Sequence, residues 1–203
     1  LPQSFIEREL YLTENVEDAN GKHLVSSIET RVSEYRKHAY ALCWHESEYE
    51  SALLWKGYTT ECNGIAIKST VSRLAQIGAN LVEPVYVGKV RYFDFSKAPV
   101  PENLLSSTFY PLLMKDIAYS AENEVRVLYC DWSVLSRLNF DRGIIALNDE
   151  TQFGISMPVD LAAIVTECVL PPRSPSWYRE LICGINAQSG YPQIPVRNSS
   201  IQE

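Results

Sequence analysis

The chain has 203 residues, a hydrophobic fraction of 46%, a charged fraction of 21% and a net charge of −7. That is the composition of an ordinary globular protein, long enough to bury a core without disulfide or metal staples, and it excludes a disordered or fibrous chain. The acidic balance disfavours a broad electrostatic footprint on nucleic acid and leaves small molecules and proteins as the expected partners.

No apolar run approaches the roughly 18–20 residues that a bilayer requires, so no membrane association is expected. The opening stretch LPQSFIEREL has neither a basic n-region nor an apolar h-region. The five cysteines (Cys43, Cys62, Cys130, Cys168 and Cys183) are odd in number, widely spaced and free of any C-x-x-C pair. Together these predict a cytoplasmic protein with reduced thiols and no zinc site.

Leu24, Val25, Ile28, Val32 and Tyr35 recur at helical spacing and predict an amphipathic helix over 24–35. AYALCW reads as a buried strand, Tyr49 to Tyr58 as a short helix, and GIAIKST as a second strand after the turn residues of TTECNG. Strand, helix and strand within about 30 residues come near the minimum for a crossover unit. TVSRLAQIGANL then predicts a helix with Gly78 near its end.

In VYVGKVRYFDF the apolar positions shift from Val85 and Val87 to Val90 and Tyr92, a slip that a bulge at Gly88 explains. SKAPVPEN reads as a loop, and LLSSTFYPLLMKDIAYS as a helix interrupted at Pro111. NEVRVLYCDW alternates cleanly: Glu124, Arg126 and Leu128 on one side, Val125, Val127 and Tyr129 on the other. RGIIAL and QFGISM read as a hairpin, and AAIVTECVL as a strand stopped by Pro171 and Pro172. SPSWYRELICGINAQSG predicts a helix with Ser174 as N-cap, Pro175 in first position and Gly190 at its close. The tail QIPVRNSS adds a final short strand. The sum is one α+β domain over 1–203, a mixed, largely antiparallel sheet with flanking helices.

The common nucleotide, hydrolase and zinc-protease motifs are absent, and three scattered histidines do not form a zinc cluster. Cys43 and His45 lie two apart on a strand and share a face, the geometry of a nucleophilic pair or simply of packing. Glu122 and Glu124, two apart at the start of a strand, project to the same side. Two such carboxylates can divide labour, one orienting a hydroxyl and one stabilising a developing cation, or they can form a charge ladder completed by Arg126. Trp55 and Tyr58 occupy one side of a short helix, as core or as a stacking platform. Glu50 and Ser51 stand where a cap and a dipole partner belong, Ser69 and Thr70 likewise before the next helix. Lys115 reads as a solvated helix residue.

In sequence and in order, CWHESEYESALLWKGYTTECNGIAIKST, VGKVRYFDF, LLMKDIAYSAENEVRVL, ISMPVDLAAIVTECVLPPRSPSW and VRNSSI resemble the bacterial domain-of-unknown-function 2971 (DUF2971) family over roughly residues 38 to 201. The matching positions are Cys43, Trp44 and His45; Glu50 and Ser51; Trp55 and Tyr58; Gly64 to Ile67; Lys115; Glu122, Glu124 and Arg126; and the stretch Pro171 to Trp177. The E-x-E strand following G-I-A-I-x-S-T is also similar to the ADP-ribosyltransferase fold, in which a split antiparallel sheet grips NAD. That similarity implies Glu124 as principal catalytic carboxylate with Glu122 assisting. It implies Trp55, Tyr58, Ser69, His45, Arg126 and Lys115 around NAD as substrate, in a bacterial toxin or phage-defence effector. The chain departs from the pattern at its start: ELYLT corresponds to a second strand, and the usual first strand with its Arg or His is not matched.

Three readings follow. The chain is an ADP-ribosyltransferase-like enzyme, a non-catalytic module that binds a small nucleotide or a protein partner in the same cleft, or a structural domain in which Lys115 and Glu122 form a fold-fixing ion pair.

Overall fold

The computed structural model describes residues 37–59, 64–80, 84–97, 109–132 and 154–201. The helix expected over 24–35 and the strand ELYLT lie outside the described residues, as does most of TTECNG, SKAPVPEN and the RGIIAL/QFGISM hairpin.

β1 (Ala39–His45) opens the described fold and α1 (Ala52–Tyr58) follows, its first turn capped by Ser51, whose Oγ accepts from the Leu54 N–H at 3.3 Å. β2 (Ala66–Lys68) leads to α2 (Val71–Ala75), which Thr70 caps in the same way, and to a 3-10 turn over Ile77–Asn80. Both caps are the hydroxyl residues expected at those places, each satisfying an otherwise orphaned N–H. β3 (Val85–Lys89) and β4 (Arg91–Phe93) come next. The slip in apolar register between them is not a bulge at Gly88: β4 pairs with a different sheet, and Val90, at the change-over, donates its N–H to the Glu124 carbonyl at 2.8 Å. Gly88 answers a different need, because a Cβ there would lie 2.5 Å from Leu113 Cδ1.

The stretch around Pro111 is not an interrupted α-helix. It forms a 3-10 turn at Tyr110–Leu113, β5 (Met114–Asp116) and a second 3-10 turn at Ile117–Glu122. Parallel pairing of β5 with β4 extends the three residues between the turns, and Asp116 caps the second turn by accepting from the Ala118 N–H at 2.8 Å. β6 (Glu124–Cys130) is the strand its alternation predicts. AAIVTECVL splits into α3 (Leu161–Ile164), capped by Asp160, and β7 (Glu167–Leu170), so only its second half is strand. α4 (Ser176–Gln188) starts at Pro175 without a side-chain cap, because the Ser174 hydroxyl donates instead to the Pro171 carbonyl at 2.7 Å. Gly190 follows α4 at φ +87°, the left-handed position that favours glycine. β8 (Val196–Asn198) is the short final strand.

These elements form three small sheets, ordered β1–β6–β3, β2–β7–β8 and β4–β5, with antiparallel β1·β6 and β2·β7 and parallel β4·β5 and β7·β8. The class is α+β. The stretch from β1 to β2 is not a crossover unit, since each strand pairs in a different sheet. Burial of AYALCW also fails: among the described residues β1 stands at the end of its sheet, and Ala41, Leu42 and Cys43 are exposed.

The chain is organised as two compact units, one holding the described residues up to His45 and from Gly88 to Ser156, the other Glu46–Val87 and the residues from Met157 onward. In the first, β6 is buried on both faces through Val125, Val127, Leu128 and Cys130, and Cys130 packs against Ala39, Phe109, Leu112 and Trp132. In the second, Val165, Cys168, Leu170, Ile182, Ile194 and Val196 form a core with Tyr178 and Tyr191 packed on it. Each such aliphatic side chain stabilises the fold by roughly 1.5–3 kcal/mol relative to exposure.

Candidate functional site

The predicted site residues fall into both units. Glu122, Glu124, Arg126, Lys115 and His45 belong to the first, Trp55, Tyr58 and Ser69 to the second.

Within the first unit, pairing of β1 with β6 sets Cys43 opposite Arg126 and His45 opposite Glu124, so all four share one face. Glu124 is 5% exposed. Arg126 grips it in a fork, Nε on Oε1 at 3.2 Å and Nη2 on Oε2 at 2.9 Å, and donates Nη1 to the Leu112 carbonyl. The Glu124 N–H donates to the Tyr92 hydroxyl at 2.8 Å, and the Cys43 thiol donates to the Glu124 carboxylate. Burial alone would raise the Glu124 pKa, but the hydrogen bonds from Arg126 and Cys43 and the charges of Arg126 and Lys115 hold it below the ordinary carboxylate range.

Glu122 is not on the strand. It ends the 3-10 turn, and Asn123, in the left-handed region at φ 37°, separates it from β6. What brings the two glutamates together is Lys115 on β5, half-buried rather than solvated on a helix. Its ammonium bonds Glu122 Oε2 and lies 3.6 Å from Glu124 Oε2, while sitting 4.8 Å from the centroid of the exposed Tyr119 ring. Burial works against the Lys115 charge, yet Glu122 and Glu124 raise its pKa above the usual value, so it stays an ammonium. His45 donates from Nδ1 to the Glu122 carbonyl at 2.6 Å, a bond that fixes the proton on Nδ1 because a carbonyl only accepts. Cys43 therefore has Glu124, not His45, as partner; partial burial first and then the Glu124 hydrogen bond and charge push the thiol up to about 11. A thiol so raised holds little thiolate at neutral pH, which weakens Cys43 as a nucleophile.

The second unit uses its predicted residues internally. Ser69 donates its hydroxyl to the Ile164 carbonyl at 2.7 Å. Buried Trp55 donates Nε1 to Glu50 Oε2 at 3.1 Å, whereas Tyr58, 77% exposed, faces solvent, so the two do not make one platform. Glu50 itself is the centre of a network that sequence reading assigned to helix capping. Its carboxylate also accepts from Arg197 Nη1 at 2.8 Å, Ser199 Oγ at 2.6 Å, and the Ser200 N–H and hydroxyl at 2.8 and 2.9 Å. Burial would raise its pKa, but these donors, Arg197 first, hold it at about 2. Arg197 reaches on through Nε to Glu167 at 3.0 Å, and Lys68 closes the far side of Glu167 at 3.0 Å. The one signal for this network is the polar run R-N-S-S after an apolar strand; nothing local ties it to Glu50, 147 residues away from Arg197. Tyr92 and Tyr119 were missed as well, since their roles depend on which strands pair.

Among the described residues no group of His, Cys, Asp and Glu side chains is placed to hold a metal ion, and no helix is long and apolar enough to cross a membrane. Set against known proteins, the chain matches no family model, no characterised protein and no solved structure.

Proposed function

We propose that the chain is a nucleotide-binding module of ADP-ribosyltransferase-like fold, taking the ribosyl part of an NAD-class dinucleotide on the face made by Glu122, Lys115 and Tyr119. The observation that carries this reading is the division of labour between the carboxylates. Glu124 is buried and both its oxygens are engaged by Arg126, so it serves as a fixed base for Lys115. Glu122 uses Oε2 on Lys115 and has no protein partner for Oε1 among the described residues, and its side chain reaches solvent. Two carboxylates, one ammonium and one guanidinium sum to no net charge, which suits the hydroxyl-bearing ribosyl part of such a ligand rather than its pyrophosphate. Oε1 can accept a ribose hydroxyl, and the Tyr119 ring offers a surface for a base.

A transferase reading draws support from Glu124, an ionised carboxylate able to face an oxocarbenium ion as the ribosyl–nicotinamide bond breaks and nicotinamide leaves with the electron pair. Its bidentate engagement by Arg126 favours the binding module. Incubation with labelled NAD and cell lysate separates the two: the module binds without transferring label. Label transfer that Glu124→Gln abolishes would replace it with the enzyme.

A further inference from the structure

Glu50 lies in a stretch without regular structure, Glu46–Ser51, whose neighbouring Glu48 and Tyr49 are exposed. Its carboxylate nevertheless receives five convergent donors from four kinds of group. Oε2 takes the Trp55 indole N–H at 3.1 Å and the Ser199 hydroxyl at 2.6 Å. Oε1 takes Arg197 Nη1 at 2.8 Å, the Ser200 backbone N–H at 2.8 Å and the Ser200 hydroxyl at 2.9 Å. A buried indole, a guanidinium, two hydroxyls and a backbone amide are what a receptor for a free carboxylate consists of, and none of them originates in the glutamate's own segment except Trp55 five residues on.

We propose that Arg197, Ser199, Ser200 and Trp55 form a carboxylate-binding receptor that the chain's own Glu50 occupies as a tethered ligand, and that a small external carboxylate takes the place when Glu50 is withdrawn. Two features set the ligand class. The donors divide two and three between two oxygens of one planar group. The Glu167 carboxylate, 3.0 Å from the Nε of the same arginine and 3.0 Å from Lys68, offsets one of these two cations, so a single net positive charge faces the ligand. A monoanionic carboxylate therefore fits better than phosphate. The tether gives Glu50 a high effective concentration, so exchange in the native chain needs a competitor at millimolar level or above.

The test is chemical rescue of the full chain carrying Glu50→Ala. The substitution lowers the melting temperature by roughly 5–10 °C. Formate or acetate at about 0.2 M restores at least half of that loss by occupying the vacated receptor, as ligand binding to the native state must. Chloride at equal ionic strength restores none, and inorganic phosphate restores less than formate. Glu50→Gln, whose amide fills the space while presenting N–H groups to donors, is not rescued by formate. If Glu50→Ala does not fold in plain buffer, its refolding yield is the readout: recovery in formate but not chloride supports the receptor. Equal behaviour in formate and chloride, by either readout, overturns the proposal.

Discussion

Glu124 and Glu50 are both carboxylates drawn out of water onto an arginine, yet they are held differently. Arg126 sits two residues along the same strand from Glu124, and both side chains are largely buried, at 6% and 16% exposure. Truncating one partner strands the other charge in a low-dielectric place. Glu124→Ala is therefore expected to destabilise the fold by about 3–5 kcal/mol in urea unfolding, while Glu124→Leu with Arg126→Met costs less than the sum of the single changes. Cys43 reports on the same contact. With its thiol near 11 rather than 9, it holds roughly 100-fold less thiolate at neutral pH than an ordinary cysteine. Mass-resolved alkylation at pH 7.5 (about physiological) should label Cys43 slowly despite its exposure, and Glu124→Gln should speed that labelling.

At the level of elements, the placement of Glu122 depends on one backbone conformation. Asn123 takes φ 37°, a region asparagine tolerates and a β-branched residue resists. Asn123→Val is expected to cost roughly 1–2 kcal/mol and Asn123→Gly very little, as thermal unfolding would measure. The elements that sequence periodicity revealed were those defined locally: α1 and α2 with their hydroxyl caps, the alternating β6, and α4 closing at Gly190. Those it misread were set by partners distant in sequence. β5 is extended because it pairs with β4, and Val90 marks a change of sheet that apolar spacing cannot distinguish from a bulge. The same reason explains the site. Glu122, Glu124, Arg126 and Lys115 were legible as charged residues in a suggestive order, but their roles were not, because Lys115 joins the glutamates only once β5 and the 3-10 turn exist. Glu50 looked like a cap residue, and most of its partners, Arg197, Ser199 and Ser200, arrive on β8 and the two residues after it.

For the whole molecule, three part-buried carboxylates, Glu50, Glu124 and Glu167, all have pKa values held below the ordinary range by bases and hydroxyls. A carboxyl depressed on folding contributes stability above its unfolded value and loses it as pH falls toward the folded one. Stability should thus be steady from about pH 7 down to about 5 and then fall, with the Glu50 share, about 3 kcal/mol, lost between 4.5 and about 2. Cys43 acts with the opposite sign, its raised value costing stability as pH climbs from 9 toward about 11. Chemical denaturation across that range checks both limbs, and Glu50→Gln should flatten the acid one. Nucleotide binding is proposed at Glu122, Lys115 and Tyr119. Titration calorimetry of the full chain with NAD and ADP-ribose should give saturable binding that Glu122→Gln weakens about tenfold, the worth of one charged hydrogen bond. No heat with either ligand, or equal affinity for the wild-type chain and Glu122→Gln, would contradict it.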